Sequence, residues 1–217
     1  MKQIERFLEH TQLSPTLTYR MVDEMIQQAK EHKFAGLCLP PFWVKKARRD
    51  LGQSDVQLVT VAGFPLGYQM TETKMAEMKK ALEEGADEID LVMNMSAFKS
   101  GMPWVKIEFA KCATLAHEND ALLKIIIETA YLNEEEIRTA CKLCADAGAD
   151  FVKTSTGFAP TGAQIEHIRL MREVLPSNVG IKASGGIKTY EQAVAMLEAG
   201  ADRIGTSSAI DIISQSS

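Results

Sequence analysis

Two lysines stand where a folded chain should avoid them. In ADFVKTSTGF (residues 149–158) the apolar pair Phe151-Val152 runs straight into Lys153 and then into small residues, Thr154 to Gly157. In VGIKASGGI (179–187) the order recurs, with Lys182 ending an apolar run and a Gly-rich turn following it. An ammonium at a buried strand end is penalised by desolvation, and a like charge beside it adds to the penalty, so both effects favour the neutral amine. Bringing a lysine from about 10.4 to near 7 costs roughly 4–5 kcal/mol. The resulting neutral amine can attack a carbonyl and form a Schiff base. Either lysine alone fits a side chain that snorkels out of a strand end. A matched pair, each opening a Gly/Ser-rich turn, points to catalysis.

A carboxylate accompanies them. In DEIDLVMN, strand alternation puts Glu88, Asp90 and Val92 on one face and Ile89, Leu91 and Met93 on the other. Asp87 and Glu88 open the strand, where solvent can reach them. Asp90 sits deeper, and a carboxylate inside an apolar run needs a partner. It can neutralise a buried lysine, relay protons beside Lys153 and Lys182, or do both.

Three turns suit an anion. Thr156-Gly157, Ser184-Gly185-Gly186 and Gly205-Thr206-Ser207-Ser208 each follow a strand-like run. Glycine lets backbone N–H groups approach a phosphate, and a helix starting at Ser207-Ser208 would direct its positive end there. No His/Asp/Glu cluster suggests a metal: His10, His32, His117 and His167 are scattered, the last three in helical patterns. Cys141 and Cys144 form a C-x-x-C inside EEEIRTACKLCADAG, but without a second pair at ligand spacing they read as buried helix residues. No G-x-S-x-G supports serine chemistry. What remains is lysine-based carbonyl chemistry on a phosphorylated substrate, without cofactor or metal, which describes a class I aldolase.

One phrase shows how the chain positions these groups. LEEGADEIDLV (from 82), CADAGADFVKT (from 144) and LEAGADRIGTS (from 197) each end a helix, stop at glycine and enter an apolar strand through Ala-Asp. Strand-like runs fall at about 7–10, 35–39, 57–63, 87–93, 122–128, 150–154, 179–183 and 202–205. Helical patterns lie between them, at about 41–50, 71–84, 103–118, 133–147, 161–174 and 189–199. Ser14-Pro15 reads as a helix start, with Leu17, Met21, Met25 and Ala29 at helical spacing. Eight strands alternating with helices, and no dinucleotide G-x-G-x-x-G, predict an α/β fold. The expectation is a (β/α)8 TIM barrel forming one domain over 1–217, with a short N-terminal helical extension. Its site would lie at the C-terminal strand ends, with phosphate at the loops after strands seven and eight.

Composition agrees with a globular domain: 217 residues, 46% hydrophobic and 24% charged. Twenty-four basic against 29 acidic residues give a net charge of −5, which offers no footprint for nucleic acid or an anionic membrane. No apolar run reaches bilayer length, and the first ten residues carry charges without a signal-peptide core. A cytoplasmic protein is expected, and barrels of this kind often pair through outer helices, which makes a homodimer the expected assembly.

GFPLG (63–67), GADEIDLVMN (85–94), LKIIIET (123–129), ADFVKTSTGF, GIKASGGI and RIGTSS (203–208) together closely resemble the deoxyribose-phosphate aldolase family. The resemblance covers nearly the whole chain, and the two lysine motifs are its most specific part. It implies reversible cleavage of 2-deoxy-D-ribose 5-phosphate to D-glyceraldehyde 3-phosphate and acetaldehyde. Lys153 would be the Schiff-base lysine, Lys182 its pKa-lowering neighbour and proton donor, and Asp90 a proton carrier acting through water. Gly157, Gly185, Gly186, Gly205, Ser207 and Ser208 would hold the phosphate, and Cys38 in GLCLPP would line the pocket. Where the family usually has Asp-His-Thr, this chain has Glu9-His10-Thr11. A transaldolase-like enzyme fits the short chain and the paired motifs less well. A barrel that has lost catalysis would not retain Lys153, Lys182 and Asp90 together.

Overall fold

The computed structural model describes residues 3–215. A 3-10 turn, Ile4–Phe7, leads into eight strands: β1 (Leu8–Thr11), β2 (Gly36–Cys38), β3 (Gln57–Ala62), β4 (Glu88–Val92), β5 (Leu122–Ile126), β6 (Phe151–Lys153), β7 (Gly180–Ser184) and β8 (Arg203–Thr206). All pair in parallel in chain order, and β8 pairs with β1 to close the barrel. Around it lie α1 (Tyr19–His32), α2 (Val44–Leu51), α3 (Thr71–Glu83), α4 (Met95–Lys99), α5 (Trp104–His117), α6 (Glu134–Asp146), α7 (Ile165–Val174), α8 (Tyr190–Glu198) and α9 (Ala209–Ser214).

Strand alternation divides the barrel into two environments. Leu37, Leu58, Ile89, Leu91, Leu123, Ile125, Val152, Ile181 and Ile204 join one apolar layer with the helices. The alternate positions face the barrel axis and carry the charges: Glu9, Glu88, Asp90, Lys124, Lys153 and Lys182, all buried. Register then fixes the site, because Lys153 is the Cα partner of Lys182 and Asp90 is the partner of Lys124. On β8, glycine leaves room for this charge layer: a Cβ at Gly205 would meet Lys182 Cε at 3.0 Å.

The repeated Gly-Ala-Asp phrase is a clamp between neighbouring strands. Asp87, Asp150 and Asp202 each donate a backbone N–H to the carbonyl of Leu58, Leu123 and Ile181, respectively. Each carboxylate accepts the N–H of that same residue, at 2.7, 2.8 and 2.8 Å. The same carboxylate oxygen, Oδ2, also meets a side chain of a neighbouring helix: Arg48, His117 or Arg172. Asp150→Ala strips the acceptor from the amide of fully buried Leu123. The expected cost is about 1–3 kcal/mol, read as a lower urea midpoint at unchanged slope.

Three expectations need correction. First, α1 begins at Tyr19 and is capped by Thr18, whose Oγ1 accepts the Met21 N–H at 3.4 Å. Ser14 and Thr16 instead share a hydroxyl hydrogen bond of 2.8 Å in a closed turn, and Pro15 serves that turn. A serine before proline marks a turn as readily as a helix cap, because its hydroxyl competes for local backbone partners. Second, Glu88 is buried and meets Lys124 at 2.5 Å, where solvent was expected. Asp87 is engaged by Leu58 and Arg48. Third, the helix after β6 starts at Ile165: residues 154–164 form an irregular, bent segment, of which 156–158 line the site.

Candidate active site

Asp90 is the hub of the barrel interior. Its Oδ2 accepts from Lys153 Nζ and Lys182 Nζ, both at 2.7 Å, and its Oδ1 accepts from Lys124 Nζ at 3.0 Å. Glu9 pairs with Lys182 and lies 3.5 Å from Lys124. Arg203 approaches Glu9 at 3.4 Å and Glu88 at 3.6 Å, closing the network toward the N-terminal end of the barrel.

Charge balance in this network determines which lysine can be neutral. Four cations (Lys124, Lys153, Lys182, Arg203) face three carboxylates (Glu9, Glu88, Asp90). Removing one proton brings the buried cluster to neutrality, and the geometry selects the lysine. Burial, acting against the charged form, lowers Lys153; Lys182 adds to this, and Asp90 alone among the carboxylates opposes it by hydrogen bond. Burial also pushes Lys182 down, but Asp90 and Glu9 outweigh it and hold that ammonium above its ordinary value. Lys124, with Asp90, Glu9 and Glu88 around it, is likewise held charged against burial. Asp90 stays ionised: burial would raise it, yet Lys124, Lys153 and Lys182 draw it well below the carboxylate range.

Lys153 is also the one network lysine that reaches the open cavity. This cavity, of about 410 Å³, lies at the C-terminal strand ends. Its walls are residues 11–15 at the end of β1 and in its loop, residues 156–158 after β6, residues 184–188 at the end of β7 and in its loop, and residues 205–207 of β8 and its loop. Gly157, Gly185, Gly186, Gly205 and Ser207 therefore stand together around one space. At Gly185 the backbone is left-handed (φ 87°), and a Cβ on the facing Gly162 would strike its carbonyl oxygen at 2.0 Å, so two glycines allow these loops to touch. Ser208 lies outside the lining; its N–H donates to Thr206 Oγ1 at 2.9 Å, and α9 begins only at Ala209. Cys38, expected to line the pocket, is not among the lining residues: it is fully buried, packed with Val59 and Val61, and burial pushes its thiol up to about 11.

Lys124, Lys188 and Glu128 escaped the sequence reading. Lys124 carries the same signal as Lys153, an ammonium inside an apolar run (LLKIII), but no glycine turn follows it. Lys188, one residue beyond Ser-Gly-Gly-Ile, lines the cavity and has no ion-pair partner among the described residues. Cys141 and Cys144 are buried on α6, where desolvation raises both thiols.

The chain as a whole is similar to known aldolases. The chain is 49% identical over 211 residues to the deoxyribose-phosphate aldolase of Brevibacillus brevis, covering 97% of this chain and 95% of that one. It is 48% identical over 213 residues to the Thermococcus gammatolerans enzyme of the same name, with 97% and 95% covered. Among solved structures, an aldolase designated QR15 superposes with a TM-score of 0.94 at 41% identity, covering 99% of this chain and 96% of that one. A tetrameric deoxyribose phosphate aldolase from Aeropyrum pernix gives 0.91 at 32% identity, with 97% and 89% covered. The DeoC/LacD family aldolase pattern matches residues 5–215. The chain belongs to the DeoC/LacD aldolase family.

Proposed function

We propose that this enzyme is a deoxyribose-phosphate aldolase that reversibly cleaves 2-deoxy-D-ribose 5-phosphate to D-glyceraldehyde 3-phosphate and acetaldehyde through a Schiff base on Lys153. One observation carries the assignment of the nucleophile: of the three lysines around Asp90, Lys153 alone both has its ammonium destabilised and opens on the cavity.

Each step follows from that arrangement. Neutral Lys153 Nζ adds to the C1 carbonyl of the open-chain sugar, and loss of water from the carbinolamine leaves the iminium. Removing the C3 hydroxyl proton breaks the C2–C3 bond; the electron pair moves into an enamine on Lys153, and D-glyceraldehyde 3-phosphate departs. Protonation at C2 and hydrolysis then release acetaldehyde and restore the amine. Lys182, held charged, is the proton donor, and ionised Asp90 returns protons between the two amines and a bridging water. No cofactor enters any step.

The phosphate reading rests on the other end of the cavity. Gly157, Gly185, Gly186, Gly205 and Ser207 offer close backbone approach, Ser208 stands behind them as the α9 cap, and Lys188 supplies a cation at the rim. Lys188→Ala is expected to raise KM for the phosphorylated sugar by roughly fivefold with kcat little changed, as a partly exposed charge pair allows. Steady-state kinetics with the sugar and its phosphate checks this. The same reading makes residues 1–217 one functional barrel acting in the cytoplasm. None of the described helices is long and apolar enough to cross a membrane. For its assembly we propose a homodimer, checked by sedimentation velocity.

A further inference from the structure

Glu128 is a buried carboxylate that the aldol chemistry does not use. It follows β5, is 6% exposed, and takes up a left-handed backbone (φ 47°, ψ 70°), a conformation that disfavours a side chain with Cβ. Burial pushes its carboxyl above its ordinary value, against hydrogen bonds from Thr156 that draw it back. A strained backbone and a desolvated carboxylate at one position need something that holds them.

The partner is the loop that follows the nucleophile's strand. Both carboxylate oxygens accept the Thr156 N–H, at 3.3 and 3.2 Å, and Oε2 also accepts the Thr156 hydroxyl. That hydroxyl oxygen in turn accepts the Phe158 N–H at 3.1 Å. Beside this clamp, Thr129 N–H donates to Thr154 O at 2.9 Å and Ile127 N–H to Lys153 O at 3.0 Å. The stretch after Lys153 is thus tied to the β5 end at Thr154 and Thr156, and Phe158 closes edge-on against Phe64 at 5.4 Å. Thr156, Gly157 and Phe158 form one part of the cavity wall, and Gly157 adjoins the Ser184–Lys188 segment, where a Cβ at Gly185 would lie 3.6 Å from Gly157 Cα.

We propose that Glu128 is a positioning residue that holds the 156–158 wall at the distance a phosphorylated substrate requires, and so sets the preference for phosphorylated over unphosphorylated sugar. This deepens the aldolase reading and rests on it. Lys153 itself is fixed by strand pairing to β5 and β7 and by Asp90, so the amine keeps its place when the clamp is lost. A freed wall leaves the nucleophile competent and the phosphate end disordered.

The test compares kcat/KM for 2-deoxyribose 5-phosphate and for 2-deoxyribose in the intact enzyme, Glu128→Ala and Glu128→Gln, alongside borohydride trapping with acetaldehyde. The expected result is a fall of about tenfold or more in the phosphate preference of Glu128→Ala, carried by KM. Trapping on Lys153 stays near the parent rate, and Glu128→Gln, which keeps one acceptor oxygen, falls between. An unchanged preference overturns the proposal, as does an equal loss on both sugars, which would mark a purely structural role. If Glu128→Ala fails to fold, the preference of Glu128→Gln decides alone. Absence of trapping in the parent enzyme would instead refute the Schiff-base reading.

Discussion

Lys153→Arg is expected to lower kcat for deoxyribose 5-phosphate cleavage on the order of 10⁴-fold or more while the protein stays folded. Arginine retains the positive charge beside Asp90, so the buried cluster keeps a partner for that carboxylate. It cannot supply a neutral amine, because its guanidinium stays protonated throughout the accessible pH range. Loss of activity with an unfolding midpoint no lower than the parent's therefore separates nucleophilic attack from charge pairing. Lysine at the same place costs the fold something: its partly deprotonated state weakens the bond to Asp90 that arginine keeps. A small gain in stability with total loss of turnover is the pattern expected of a residue retained for chemistry.

Lys182→Met is expected to reduce kcat roughly 10²–10³-fold, the range for a positioned proton donor, and to move the pH profile. The sign follows from the charges around Lys153. Burial lowers Lys153, Lys182 lowers it further, and Asp90 raises it. Taking away Lys182 removes a repulsion and leaves the attraction of Asp90, so the pKa of Lys153 rises toward its ordinary value. Lys153 attacks only when neutral, so the rate climbs as pH passes upward through that pKa. The rising limb, at depressed pH in the parent enzyme, should therefore shift to higher pH in the variant. A limb that stays in place, or moves down, would show that Lys182 does not tune its neighbour. The variant also leaves Glu9 facing Lys124 and Arg203 without its closest cation. A lower unfolding midpoint should accompany it, because buried Glu9 loses its closest hydrogen-bonded partner and keeps only the longer contacts to Lys124 and Arg203.

Residues whose environment is set within one junction were legible from sequence. Gly85, Gly148 and Gly200, each with positive φ, stop helices, and the Asp two residues later clamps the preceding strand; a local phrase sufficed to find three of the eight strand entries. Lys153 and Lys182 were legible because an ammonium at the end of an apolar strand conflicts with its surroundings, and such conflicts mark functional positions. Glu9 was visible as a departure from the family pattern, but its partner was not. It meets Lys182 only because β8 closes on β1, across 173 positions of sequence. Depth is the other missing quantity. Alternation puts Glu88 and Asp90 on the same face, but it does not show that the barrel mouth lies beyond Asp90 and that Glu88 is sealed beneath it by Arg203 and Lys124. The start of α1 was misplaced because Ser-Pro serves turns and helix caps alike, and only the hydroxyl pairing of Ser14 with Thr16 decides between them.

The most direct test of the account is to trap the enzyme with acetaldehyde and borohydride and to locate the added mass by peptide mapping. The arrangement of Lys153 at the cavity, with Lys124 and Lys182 held charged behind it, predicts a single two-carbon adduct on Lys153. An adduct on Lys182 would reverse the roles of the pair. No adduct on either lysine, with deoxyribose 5-phosphate still bound, would contradict the Schiff-base mechanism itself.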